Sequence, residues 1–158
     1  MSVQIGDRIP SVSLRVMGPE GPEPVTTDEL FAGKRVVMFA VPGAFTPGCS
    51  RTHLPGFVVQ ADAIRAKGVD SIICTSVNDA FVMAAWGQAQ NAEAIIMLAD
   101  GNAELASALG LTKDASAFQM GTRSQRYAMI VNDGVIELLN VDEKGIDLSS
   151  AETILNAL

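Results

Sequence analysis

Apolar residues along this 158-residue chain alternate between two patterns. Short continuous runs of buried-strand type cover Arg35–Val41, Ser71–Val77 and Ala94–Ala99. Between them lie segments with helical spacing. Leu54, Phe57, Val58, Ala61 and Ile64 mark one face of a helix that Gly68 closes. Asn78-Asp79 opens a second helix that reaches about Gln90. A third covers Glu104–Leu109 and stops at Gly110. Tyr127–Val131 and Val135–Asn140 flank Asn132-Asp133-Gly134, a hairpin signal.

Ahead of the first run, the turn-rich segment Met17–Pro24 separates Val12–Val16 from Val25 and predicts an N-terminal hairpin. Thr26-x-x-Glu29 fits a capping box for a short helix through Phe31, and Ser149-x-x-Glu152 fits one for a final helix. After the hairpin the order is β-α-β-α-β-α-β-β-α. That order predicts an α/β fold with a mixed central sheet flanked by helices. A thioredoxin-like fold with an N-terminal β-hairpin extension satisfies it. The length suits one domain over residues 1–158.

Composition narrows the options. Hydrophobic residues make up 48% and charged ones 18%, which describes a globular chain. No apolar run approaches the ~20 residues that cross a membrane. The start, Met1 to Asp7, has neither a basic nor an apolar leader region, so the cytoplasm is the expected compartment. With 11 basic and 18 acidic residues the formal charge is −7, which disfavours nucleic acid and anionic membrane as partners. Two Cys and one His make neither a disulfide framework nor a four-ligand zinc site. No cofactor is expected.

Chemistry concentrates at Phe45-Thr46-Pro47-Gly48-Cys49. Thr46 is a good N-cap and Pro47 suits the first helical position. Cys49 then falls third in the helix, where free N–H groups and the positive dipole end favour a thiolate nucleophile. The Thr46 hydroxyl can reach the sulfur or a bound oxygen. Sites in α/β sheets lie at the carboxyl ends of strands, and the loop Pro42–Phe45 leaves such an end.

Other thiol chemistries fit poorly. Thr46 and Thr52 occupy the positions that a Cys-x-x-Cys pair would need. A thiol protease needs a His base with an orienting partner. The single His, His53, sits one turn after Cys49, too strained for direct pairing, and reads as a packed, hydrogen-bonded core histidine. Attack on a small oxidant to give a sulfenic acid remains. Pro55 is expected to kink the Cys49 helix and to ease its unwinding. Trp86 is expected to pack in the core or at a dimer edge.

Pro42-x-x-x-Thr46-x-x-Cys49 resembles the peroxiredoxin signature. Val41–Ser50, His53–Phe57, Ser76–Met83 and Arg126–Met129 resemble the type II, or peroxiredoxin-5, subfamily, and the likeness spans essentially the whole chain. It implies a thioredoxin-like thiol peroxidase that reduces hydrogen peroxide and organic hydroperoxides. Cys49 matches the peroxidatic cysteine, and Thr46 the residue that hydrogen-bonds sulfur and peroxide. Pro42 matches the residue that shields the pocket. Arg126 matches the arginine that stabilises the thiolate and the developing charge. The residues alone do not separate Arg126 from Arg51 or Arg123. The family also implies a tight homodimer.

Some members carry a resolving cysteine near the segment that is here Gly145–Ser150, which holds none. Cys74, in a core strand, reads first as a packing residue and second as a resolving thiol. A one-Cys cycle follows, with glutathione, glutaredoxin or thioredoxin as external thiol reductant. Two other readings of the same thiol stay open: a peroxide sensor or redox-regulated chaperone, and an inactive binding module.

Overall fold

A computed structural model describes residues 2–158. Its centre is a seven-stranded sheet in the order β2-β1-β5-β4-β3-β8-β9. The strands are β1 (Ser13–Gly18), β2 (Gly21–Thr26), β3 (Arg35–Ala40), β4 (Ser71–Ser76), β5 (Ile96–Ala99), β8 (Arg126–Asn132) and β9 (Val135–Asp142). β3, β4 and β5 run parallel, and the other pairings are antiparallel. A separate two-stranded ribbon joins β6 (Thr112–Asp114) to β7 (Thr122–Ser124). The helices are α1 (Thr27–Phe31), α2 (Leu54–Ala66), α3 (Ala80–Ala89), α4 (Glu104–Leu109) and α5 (Ala151–Ala157).

The continuous apolar run of β3 has a simple cause. Successive side chains point to opposite faces of a sheet, and both faces here are covered. Val37, Phe39 and Val41 join a cluster with Leu54, Phe57 and Ile64 of α2, Met83 and Trp86 of α3, and Ile154 of α5. Val36, Met38 and Ala40 join another with Leu30, Phe31, Leu105 and Leu109 from α1 and α4. This is the expected mixed sheet flanked by helices, a thioredoxin-like fold.

Three local expectations shift. The N-terminal hairpin is tighter than expected, and β2 includes Pro22 and Pro24. Proline lacks the ladder donor, and β2 tolerates it because it is an edge strand. The last helix is capped by Ser150, whose Oγ accepts from Thr153 N–H at 3.2 Å, and not by Ser149. The ribbon β6–β7 lacks apolar periodicity, so the pattern did not announce it. The Thr26 cap is present: its Oγ1 accepts from Glu29 N–H at 3.1 Å.

Candidate active site

The chain leaves β3 at Ala40 and turns at once. Val41 N–H donates to Thr75 O at 3.1 Å, and Ala44 N–H donates to Asn78 Oδ1 at 3.0 Å. Both bonds tie the loop to the end of β4. Gly43 is buried, and a Cβ there would meet Thr46 Cγ2 at 3.1 Å, so the tight approach suits glycine. Phe45 takes a left-handed φ of 63° and points outward.

Thr46 occupies the N-cap position by its backbone, since Ser50 N–H donates to Thr46 O at 2.9 Å. Its hydroxyl departs from the expected cap. It donates to Gly43 O at 2.6 Å, so its proton closes the turn while its oxygen keeps a lone pair free. The helix that follows also departs from a plain α-helix. Cys49–His53 form a π-turn, in which Leu54 N–H reaches back to Cys49 O. Pro55 explains it. In a regular α-helix its ring would crowd the carbonyl of Arg51, and it has no N–H to donate. Widening the preceding turn relieves that conflict, as π-bulges do.

Cys49 is 1% exposed. Arg126, at the start of β8, donates from Nη2 to Cys49 Sγ at 3.2 Å and from Nη1 to His53 Nδ1 at 2.7 Å. His53 Nε2 donates to Ser149 O at 2.9 Å. A carbonyl only accepts and a guanidinium only donates, so the tautomer is fixed: Nε2 carries the proton and Nδ1 the lone pair. Burial pushes the His53 pKa down from 6.5 to about 4, and the neighbouring Arg126 charge lowers it further against the Ser149 carbonyl and Asp142. His53 is therefore neutral at pH 7. Its ring packs 5.0 Å from Phe39 and 5.7 Å from Phe57, which stack at 3.9 Å.

Ser149 is held in turn by Asp142 at the end of β9. The Asp142 carboxylate accepts from Asp147 N–H (3.0 Å), Leu148 N–H (3.1 Å), Ser149 N–H (2.8 Å) and Ser149 Oγ (2.6 Å). Burial alone would raise its pKa, but those bonds, the Ser149 hydroxyl foremost, leave it lowered. The loop 143–150 is thereby folded against the site, and Ile146 Cδ1 lies 3.8 Å from where a Gly48 Cβ would be. On the other flank, Trp86 Nε1 donates to Ser50 Oγ at 3.0 Å and anchors the π-turn to α3.

The three arginines now separate. Arg123 donates to Met120 O and Val77 O, and Arg51 lies exposed beside α2. Only Arg126 reaches the sulfur among the described residues. Pro42 lines a groove with it. Cys74 lies mid-strand in β4, fully buried between Phe39 and Met97, and burial pushes its thiol well above the ordinary value. Both cysteines are free thiols. Among the described residues no metal-ligand cluster forms.

Sequence reasoning placed Cys49, Thr46 and Pro42 in one loop. It saw His53 as a packed residue but missed its bond to Arg126, 73 positions away. The one available signal was its place a turn after Cys49. Asp142 gave no signal, because its partners are mostly backbone groups.

A thioredoxin-like sheet that sets one thiol against one guanidinium, at a helix start beyond a strand end, defines a thiol-dependent oxidoreductase. The chain belongs to the Redoxin family, whose model matches residues 4–155, and within it to the peroxiredoxins, which are thiol peroxidases. It is 48% identical over 164 residues to a chloroplastic peroxiredoxin-2E-2 of Oryza sativa subsp. japonica, covering 99% of this chain and 73% of that one. It is 40% identical to peroxiredoxin-2B of Arabidopsis thaliana, covering 99% and 98%. Its fold superposes on a structure of reduced Prx3 from Vibrio vulnificus in complex with hydrogen peroxide, with TM-score 0.95, 56% identity and 98% of each chain covered.

Proposed function

We propose that Cys49 is the peroxidatic thiol and that it reduces hydrogen peroxide and organic hydroperoxides. The observation that carries this reading is the forked Arg126, with one arm on Cys49 Sγ and the other on neutral His53. The Cys49 thiolate attacks one peroxide oxygen in line, and the O–O bond breaks. The leaving oxygen takes a proton and departs as water or alcohol, while sulfur becomes sulfenic acid. Arg126 and the Cys49 N–H face the negative charge that develops on the peroxide, and Thr46 Oγ1 accepts from the peroxide O–H. Pro42 keeps water from the same pocket. An exposure of 1% for Cys49 suits a small oxidant. That the Vibrio vulnificus relative holds hydrogen peroxide supports the substrate class.

Regeneration follows a one-Cys cycle with glutathione, glutaredoxin or thioredoxin as reductant. Cys74 serves packing: its strand is central, its thiol is held protonated, and Gly145–Ser150 offers no other thiol. The exposed Phe45, Phe81 and Phe118 support a homodimer through the active-site edge. A chain with two cysteines and no disulfide framework suits a reducing compartment such as the cytoplasm. No helix among the described residues is long and apolar enough to cross a membrane.

Mass spectrometry after one equivalent of peroxide tests this. Wild type and Cys74→Ser should both carry one oxygen, or a glutathione adduct, on Cys49. A Cys49–Cys74 disulfide overturns the one-Cys cycle. Peroxide turnover that survives in Cys49→Ser, where a loss of at least ~10³-fold is expected, overturns the whole reading.

A further inference from the structure

We propose that the groove between Lys113 and Lys144 is a carboxylate-binding subsite, which seats the acidic end of a small organic molecule while its reactive end reaches Cys49. The inference rests on the peroxidase reading above and extends it to substrate recognition.

The groove holds about 500 Å³ and is bordered by Pro42 and Arg126, the latter in contact with the sulfur. Cys49 itself does not line it, so a ligand seated here reaches the sulfur past Arg126; the volume is that of an ordinary small-molecule site.

Its charge is equally specific. The chain carries −7 overall, yet Lys113 and Lys144 both line this groove beside Arg126. Neither lysine has a carboxylate partner: among the described residues the one ion pair joins Arg35 to Glu137 at 3.6 Å. Two carboxylates also line the groove. Asp142 keeps its charge but spends its lone pairs on the four donors of its own loop, so the lining sets three cations against two carboxylates, of which Glu143 alone is free to pair. Lys113 further stands directly across from Arg123 in the ribbon β6–β7. Like charges in facing positions destabilise a strand pair. Arg123 is held by Met120 O and Val77 O, so Lys113 is the charge of the pair that no contact accounts for.

Two sources could bring the carboxylate. An acid-bearing hydroperoxide would lose its terminal oxygen to Cys49 and leave as the alcohol. An acid-bearing thiol such as glutathione would attack the sulfenic sulfur, release water and form a mixed disulfide. A second thiol would then free Cys49 and leave as the disulfide.

Acid and ester pairs separate the sources. Linoleic acid hydroperoxide is compared with its methyl ester, and glutathione with its diethyl ester, in wild type and in Lys113→Gln/Lys144→Gln. The double variant should raise KM for the acid of one pair by about five-fold or more, and leave its ester unchanged. A rise for the hydroperoxide acid assigns the subsite to the oxidant; a rise for glutathione assigns it to the reductant. Hydrogen peroxide turnover with 2-mercaptoethanol should stay at the wild-type rate, and Lys113→Arg/Lys144→Arg should restore the acid. Equal kinetics for acid and ester in both pairs, or a uniform loss across all substrates, overturns the subsite. Failure of wild type to consume hydrogen peroxide would instead sink the peroxidase reading.

Discussion

Cys49 and Cys74 lie in one hydrophobic cluster and are hidden to the same degree, at 1% and 0% exposure. Their surroundings differ in what faces the sulfur. Cys74 sits in the middle of a parallel strand, flanked by Phe39 and Met97, and burial acts on it almost unopposed. Cys49 sits where a strand has ended and a helix begins, and a guanidinium donates to its sulfur. On the proposed reading, burial therefore does not decide whether a thiol reacts. It removes water from both, and the polar groups left behind decide the rest. Low dielectric strengthens a matched charge and penalises an unmatched one.

The largest break in that contrast comes from removing the guanidinium. Arg126→Met should lower kcat/KM for hydrogen peroxide by about 10²–10³-fold, the usual loss for one donor to a developing charge. Cys74→Ala should stay near wild type in the same peroxide-consumption assay. Comparable losses in both variants would erase the distinction.

An intermediate effect tests how Arg126 is held. His53 titrates near 6.5 when unfolded and at about 4 when folded. Between those values the unfolded chain binds the extra proton, so stability rises with pH through this window and is complete above it. Acidifying from pH 6.5 to 4 should remove up to roughly 3 kcal/mol, at 1.36 kcal/mol per pH unit. Urea unfolding at several pH values measures this, and His53→Gln should flatten the slope. A wild-type curve parallel to that of His53→Gln would reject the buried neutral histidine. Protonation also removes the Nδ1 lone pair that orients Arg126, so the peroxidase activity of the folded protein should hold down to about pH 5 and fall as pH passes through about 4.

The smallest effect lies one shell further out. Asp142→Asn should cost about 1–3 kcal/mol, since a charged acceptor of several bonds is weakened. Hydrogen exchange should quicken at the amides of Asp147, Leu148 and Ser149. The Asp142 pKa is lowered by folding, so its contribution is present above the ordinary carboxylate range and is lost as pH falls through its folded value. Unchanged exchange at those amides would mean that Asp142 does not hold the loop.

The sheet was legible because its central strands are apolar at every position, the mark of burial on both faces. β2 was less so, since Pro22 and Pro24 read as turn residues until the strand is known to lie at an edge. The ribbon β6–β7 was invisible: residues 112–114 are all exposed, so no periodicity marks them. At the site, Cys49 and Thr46 were legible from helix-start chemistry. The π-turn was not, although Pro55 pointed to a distortion there. Arg126 needed the family likeness, because an arginine at a strand start looks the same whether it meets solvent or sulfur. Its partnership with His53 depends on how two distant elements pack, which no local pattern encodes.

The π-turn also sets a phase. An α-helix advances about 100° per residue, so a turn closed five residues back instead of four holds the equivalent of one inserted residue. Everything upstream of Leu54 is rotated by that amount relative to α2. Deleting one residue between Cys49 and Pro55 would return the turn to ordinary pitch. Winding the same residues at ordinary pitch, with none deleted, would instead swing the sulfur about 100° around the helix axis, away from Arg126, with every side chain of the site still present in the sequence.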